Sequence, residues 1–179
     1  MIFNVASLLT GHDGAFRQTM IEHGEVFTDR HRFYEVNGPV RLMRTDRTVL
    51  VTASLTAIVE DSCSRCLRPA ILNIETEFEE EFQPTNRDLV SERPAPVEAE
   101  YDPALVVDSR NILDMTDAVA QSLSVAVPFA PLCKKDCAGL CPVCFVDLNV
   151  ATCGCDKTPI DPRWQSLAQL GAGTPNPLN

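Results

Sequence analysis

The sequence predicts an α+β fold, in which a mainly antiparallel β-sheet with one principal helix precedes a cysteine-rich C-terminal segment. Three observations lead to this prediction. Residues 48–60 and 71–82 alternate between apolar and polar side chains, which is typical of half-buried strands. Residues 114–127 carry apolar side chains at helical intervals. Six of the eight cysteines lie within residues 133–155.

The first 47 residues give weaker signals. Residues 1–9 have the apolar content of a first strand, which ends at the glycines of residues 11–14. Residues 15–22 have the weak pattern of a short helix, and residues 26–34 are predicted to form a strand. A polar turn at residues 45–47 then precedes the first clear alternation.

The two clearly alternating stretches are predicted to be antiparallel strands of one hairpin. Between them lies Cys63-Ser-Arg-Cys66, so this CxxC pair caps the hairpin, a placement that suits a metal-binding turn. In the second strand, the apolar face opposes a row of glutamates, Glu75, Glu77, Glu79 and Glu81. Such a row is usually a solvated face that discourages edge-to-edge pairing, and the alternative is a site for a basic partner. The sequence leaves both open.

The chain after the hairpin changes character twice. Residues 84–108 contain four prolines and many charges without periodicity, so they are predicted to be a loop or linker. Asp114 and Asp117 then resemble a capping-box start, and Pro128 stops the helix that follows. Its apolar stripe, predicted to pack on the sheet, consists of Met115, Val119, Leu123 and Ala126.

Spacing indicates what the cysteines do. Cys141-Pro-Val-Cys144 has the spacing of a zinc knuckle, in which a turn directs two thiolates at one ion. The last 50 residues have few large apolar side chains among their prolines and glycines, so they bury too little to offset their chain entropy. Structural Zn²⁺, one or two ions, is therefore the predicted cofactor.

Four other roles for the cysteines fit less well. Disulfides need an export signal, which the N-terminal residues do not resemble. The spacing Cys137-x3-Cys141-x2-Cys144 matches radical S-adenosylmethionine enzymes, but only 35 residues follow Cys144, too few for their barrel. A thioredoxin-like role needs a CxxC that follows a strand and opens a helix. A catalytic zinc would recruit histidine or carboxylate, and all three histidines lie within the first 31 residues.

The grouping of the eight thiols has two solutions. One places the six C-terminal cysteines around a single site with two spare thiols. The other joins the hairpin pair to one C-terminal pair and leaves four thiols for a second ion; it is favoured because no thiol is left unexplained. The predicted ligands are Cys63, Cys66, Cys133, Cys137, Cys141, Cys144, Cys153 and Cys155.

These elements predict a division of the chain. Residues 1–130 form the sheet and helix, and residues 131–171 form the cysteine-rich, metal-stabilised segment. Within that segment Asp161-Pro162 begins a short C-terminal helix. Residues 172–179 form a tail.

Charge and hydropathy set further limits. The net charge is −10, but residues 61–108, with 12 acidic and 4 basic side chains, supply most of it, so the remainder could still contact nucleic acid. No apolar run approaches the roughly 20 residues needed to cross a bilayer. No membrane association and a cytoplasmic location are therefore expected.

Several motifs in fixed order resemble one bacterial family. They are Cys63-Ser-Arg-Cys66-Leu67, the strand end Phe78–Phe82, the helix start Asn111–Thr116, the block Pro131–Cys144, and the later motifs Asp147–Asn149, Cys153–Cys155 and Asp161–Trp164. Together they cover nearly all of residues 25–170, and they resemble the YceD family, also called large ribosomal RNA subunit accumulation proteins. Many relatives have glycine where this chain has Phe145, directly after Cys144. The positive-φ position of this knuckle is therefore expected to be filled differently, or the turn to be altered.

The resemblance implies a role in making or preserving 23S rRNA, without catalysis. Its implied partners are 23S rRNA, a large-subunit precursor or a ribosomal protein, and no small-molecule substrate is expected. Cations near the cysteines are candidate RNA contacts, or they offset the charge of the thiolates. They are Arg65, Arg68, Lys134, Lys135, Lys157 and Arg163.

Three classes of function follow. The favoured one is a non-catalytic ribosome-biogenesis factor that supports 23S rRNA accumulation and large-subunit assembly. The second is a zinc-ribbon adapter that binds a protein partner outside the ribosome. The third, an enzyme such as a nuclease or redox protein, is disfavoured because no histidine clusters with acidic residues in a catalytic-metal motif.

Overall fold

The computed structural model describes residues 1–46, 48–85 and 102–156, together with Arg163. The chain forms two compact units, residues 1–64 with 68–135, and residues 65–67 with 136–179. The regular elements of the described residues all lie in the first unit. They are β1 (Ile2–Asn4), α1 (Ala6–Leu9), β2 (Phe16–Phe27), β3 (Arg32–Arg44), β4 (Val49–Ser62), β5 (Pro69–Pro84), a 3₁₀ turn (Pro103–Leu105), β6 (Val106–Val107), β7 (Ile112–Asp114) and α2 (Thr116–Ala126).

The strands form one seven-stranded sheet in the order β1-β7-β6-β5-β4-β3-β2. The four long strands β2 to β5 make an antiparallel meander. The other side of β5 pairs with β6 in parallel over two residues, and β7 and β1 complete the sheet in antiparallel fashion.

The sheet curls into a half-barrel, and this corrects the predicted fold class. Strands make up 47% of the structure and helices only 13%, so an α+β fold with a mainly antiparallel sheet and one principal helix is wrong. The helix α2 is 11 residues long and contacts both β5 and β2. The meander therefore bends around this helix. The helix lies on the concave side of a curved sheet and does not form a separate layer on a flat one.

Two irregularities in strand pairing contribute to the curvature. The register shifts between β2 and β3 near His23, and between β3 and β4 near Glu35, and both residues have positive φ, 49° and 51°. Asn37 links them, because its side chain accepts from the His23 N–H and donates to the Glu35 carbonyl, both at 2.7 Å. Bulges of this kind bend a strand and increase its twist.

The strong predictions of single elements are confirmed, and the weak ones are mostly wrong. Residues 48–60 and 71–82 correspond to β4 and β5, and the turn between them contains the first CxxC pair. Residues 15–22, predicted to be a helix, belong to β2. Residues 26–34 are not one strand, because a turn separates β2 from β3. The predicted first strand is short and continues into α1.

The principal predicted helix exists but begins one residue later than the predicted capping box, with Met115 and not Asp114 as its N-cap. Asp114 ends β7, and its carboxylate accepts from the Thr116 N–H at 2.9 Å. Met115 precedes the helix without a side-chain cap, so the predicted capping box does not form. The helix ends at Ala126, two residues before Pro128.

The core lies inside the half-barrel. Its largest fully buried side chains come from the sheet, from Leu9 of α1 and from residues at or within α2, and none of the described polar or charged residues is buried. They include Phe33, Leu42, Leu55, Phe82, Leu113, Met115 and Leu123. In the described residues, no helix has the length and apolarity needed to cross a membrane.

Two predicted regions fall mainly on undescribed residues. Within the predicted linker 84–108, residues 86–101 lie outside the described part of the chain. The same holds for the predicted C-terminal helix, except Arg163, and for the tail.

Candidate metal centres

The first knuckle is the turn that joins β4 to β5. Its thiols are buried, Cys63 at 0% and Cys66 at 4% exposure. The Cys63 N–H donates to the Arg68 carbonyl at 2.8 Å, which closes the turn over five residues. Leu67, directly after the second cysteine, has a φ of 59°. The hairpin therefore holds two buried sulfurs in a tight turn.

The second knuckle, Cys141 to Cys144, repeats this backbone arrangement. The Cys141 N–H donates to the Val146 carbonyl at 2.9 Å, again five residues on, and Phe145 has a φ of 58°. The Val143 N–H donates to the Cys141 sulfur at 3.4 Å. Phe145 thus occupies the left-handed position that glycine usually fills, without alteration of the turn.

The eight cysteines, all of them in described residues, are thiols that form no disulfide. They come together in two groups of four, and within each group the sulfur atoms lie within 4.8 Å of one another. The first cluster is Cys63, Cys66, Cys133 and Cys137, and the second cluster is Cys141, Cys144, Cys153 and Cys155. The arrangement with two groups is therefore formed, and a single six-thiol site is not.

The geometry of both clusters fits a tetrahedral metal ion. Zinc–sulfur bonds of about 2.3 Å place the four sulfurs of a tetrahedral site about 3.8 Å apart. The sulfur–sulfur distances in either cluster would therefore have to shorten by at most about 1 Å to bind an ion. Both donor sets are purely sulfur, without histidine or carboxylate. Four soft thiol donors are typical of closed structural zinc sites and of iron–sulfur clusters.

Electrostatics within the second cluster favour a cation. The Cys144 and Val143 N–H groups donate to the Cys141 sulfur, which lowers the pKa of Cys141 to about 6. The Cys155 thiol donates to Cys144 and lies near the charge of Cys144 and Cys153, which raises the pKa of Cys155 to about 12. Four thiols this close cannot all ionise without a cation, because the thiolates would repel one another. A bound divalent cation would offset that repulsion.

Asn149 contacts Cys137, a candidate ligand in the first cluster. Its amide nitrogen donates to the Cys137 sulfur at 3.4 Å and to Asp147 at 2.7 Å. Its amide oxygen accepts from the Ala138 N–H at 2.9 Å. Groups that orient metal ligands tune the affinity of a site, and sequence reasoning missed this one. The available signal was the short polar motif that follows the second knuckle.

Gly139 has a left-handed conformation and close surroundings that favour glycine. Its φ is 73°, and an added Cβ would lie 3.0 Å from the Arg65 carbonyl oxygen. The next residue, Leu140, donates its N–H to that same oxygen at 3.1 Å. A backbone contact thus holds residues 65–67 against the cysteine-rich segment.

The predicted RNA-binding cations have diverse placements. Arg65 donates to the Cys137 carbonyl at 2.8 Å, so part of its guanidinium is engaged within the protein. Four of the other cations are exposed: Arg68, Lys134, Lys135 and Arg163. The last one, Lys157, lies outside the described residues. RNA contact by these residues stays a prediction.

A curled β-sheet and two four-thiol clusters on knuckle turns together define a protein with two candidate structural metal centres. Residues 51–171 match the family described as "Large ribosomal RNA subunit accumulation protein YceD", and the chain belongs to this family. The resemblance inferred from the motifs is thereby confirmed.

The chain is also similar to mycobacterial proteins whose names describe no function. Proteins of Mycobacterium bovis and Mycobacterium tuberculosis, both named as uncharacterized, are 30% identical over 133 residues, which is 73% of this chain. One from Mycobacterium leprae is 28% identical over 136 residues, 75% of this chain. The chain spans 59% of the length of the first two relatives and 58% of the third. No solved structure matches.

Proposed function

We propose that this chain is a non-catalytic factor that supports accumulation of 23S rRNA and assembly of the large ribosomal subunit in the cytoplasm. Membership of the YceD family, whose description names large-subunit RNA accumulation, carries this proposal. Each of the two four-cysteine clusters would hold one structural Zn²⁺.

The donor sets support a structural and not a catalytic role for the metal. A catalytic zinc keeps one position open for water or substrate, whereas four thiolates fill a tetrahedral shell. Cys63, Cys66, Cys137 and Cys141 are also buried, which keeps solvent from those sulfurs. Bound ions would supply folding free energy to a segment that buries little apolar surface.

The exposed lysines beside the first cluster are the proposed RNA contacts. Lys134 and Lys135 directly follow Cys133, and both are exposed to solvent, where a phosphate backbone could reach them. The chain has few aromatic residues for base stacking, so contact with the backbone of rRNA is expected, without sequence reading. Such binding weakens as the salt concentration rises.

Depletion and rescue in bacterial cells test the proposal. Loss of the protein should lower the ratio of 23S to 16S rRNA, and the wild-type gene should restore it. Lys134→Ala/Lys135→Ala should rescue poorly, whereas Arg30→Ala/Arg110→Ala, which removes two exposed cations elsewhere, should rescue fully. An unchanged 23S ratio after depletion would refute the proposal.

One observation favours a second candidate, a zinc-ribbon adapter for a protein partner outside the ribosome. Leu67 and Phe145 are bulky apolar residues at the left-handed positions of the two knuckles, and they are 68% and 72% exposed. Apolar side chains kept in strained, solvent-facing positions suit protein contact. Sedimentation of cell extracts through sucrose separates the candidates, because an adapter would never comigrate with large-subunit precursors.

A further inference from the structure

The outer face of the meander β2 to β5, opposite the buried core, carries an open groove of about 720 Å³. One cross-strand row of its floor runs through Gln18, Arg41, Thr52 and Glu79, which are paired in register on the four successive strands. Gln18, Arg41 and Glu79 are exposed and Thr52 is partly so, and no described element covers this row.

The two sides of the groove differ chemically. On the β2 and β3 side, Met20, 55% exposed, and Pro39 provide apolar surface. Arg41 lies on this side too, but its guanidinium stacks 4.6 Å from the centre of the Phe16 ring. On the β5 side, Glu77 and Glu79 line the groove. The groove thus has apolar surface beside the cation Arg41 on its β2 and β3 side, and carboxylates on its β5 side.

The carboxylates on the β5 side belong to a longer row of glutamates on this strand. Glu75, Glu77, Glu79 and Glu81 are all exposed on the same face of β5. Within the described part of the chain none of the four makes an ion pair, and Glu77 accepts only a hydroxyl hydrogen bond, from Ser54 at 3.3 Å. Alternate residues of a strand lie roughly 7 Å apart, so these carboxylates form a regular array.

We propose that this groove binds an extended polypeptide segment with lysine or arginine at alternate positions. An extended chain repeats its side chains with the same period as the glutamate row, so each cation would meet a carboxylate. Its intervening apolar residues would face Met20 and Pro39. Nucleic acid does not fit, because its phosphates would meet the carboxylates. The inference goes beyond the proposed function, since it requires neither zinc nor RNA.

Fluorescence anisotropy with purified protein tests the proposal. The probe is a labelled heptapeptide of alternating lysine and valine, and its counterpart has glutamate in place of lysine. The lysine probe should bind, more weakly at higher salt, and the glutamate probe should not. Glu77→Gln/Glu79→Gln should raise the Kd for the lysine probe roughly tenfold, as expected for the loss of two exposed ion pairs.

A matched control keeps the net charge change the same. Glu22→Gln/Asp29→Asn removes two exposed carboxylates that do not line the groove, and it should change the Kd less than about twofold. Ser54→Arg, which puts bulk and a cation on the groove floor, should abolish binding. Equal weakening by both double variants, or unchanged binding in Ser54→Arg, would overturn the proposal while leaving the 23S rRNA experiment unaffected.

Discussion

Replacing Gly139 with alanine should destabilise the cysteine-rich segment by about 2–3 kcal/mol. The left-handed conformation at φ 73° costs a residue with a Cβ roughly 1 kcal/mol. The new Cβ would also press on the Arg65 carbonyl oxygen at 3.0 Å, which displaces the acceptor of the Leu140 N–H and costs about 1–2 kcal/mol more. The segment's folded state and its metal retention should weaken together.

Gly154→Ala is the matched control. Gly154 lies between Cys153 and Cys155, yet its added Cβ would meet nothing within 4 Å and its φ is not positive. Both variants and the wild type are purified with zinc and titrated with a chelator while zinc release and circular dichroism are recorded. Gly139→Ala should lose zinc at a lower chelator concentration than the control. Identical release curves for the two alanine variants would refute this reasoning.

Three further outcomes are expected. Phe145→Gly should raise the free energy of unfolding by up to about 1 kcal/mol, because it relieves a left-handed bulky residue that is 72% exposed; thermal unfolding that shows lower stability would contradict the strain assigned there. Cys144→Ser should reduce bound zinc from two ions to one per chain by elemental analysis, and loss of both ions would show that the clusters are not independent. The metal affinity of the second cluster should fall by about tenfold or more for each pH unit between pH 8 and pH 6, because protons compete for thiols such as Cys155, whose pKa is about 12. A Co²⁺ thiolate absorption band of equal strength at both pH values would contradict this.

The sequence predicted the parts of the fold where local pattern and burial agree. In β4 the side chains that face the core are apolar from Val49 to Val59, and in β5 they are apolar except Thr76 and Glu80, so alternation located both strands and the turn between them. In β2 most side chains are exposed, so residues 15–22 show no such alternation, and their weak pattern predicts a helix where the strand lies. The curl of the sheet depends on bulges at His23 and Glu35, whose side chains give no bulge signal.

Much of the candidate site was also predictable, because metal-binding turns require particular spacings. All eight cysteines fall in one of the two clusters, which agrees with the two-site grouping that the sequence favours. The partner pair of Cys63 and Cys66 could not be assigned, since spacing along the chain does not report distance in space. The role of Asn149 was hidden for a similar reason: its contact with Cys137 joins residues 12 positions apart through an irregular segment.

The two clusters differ in the length of the chain that separates their cysteines. The second cluster takes all its ligands from residues 141–155, whereas the first joins residues 63 and 66 to residues 133 and 137. Closing a short loop costs less chain entropy than closing a long one. Under the proposed zinc binding, the second cluster can therefore hold its ion in an otherwise unfolded polypeptide, whereas the first cluster requires the hairpin and residues 133–137 to come together.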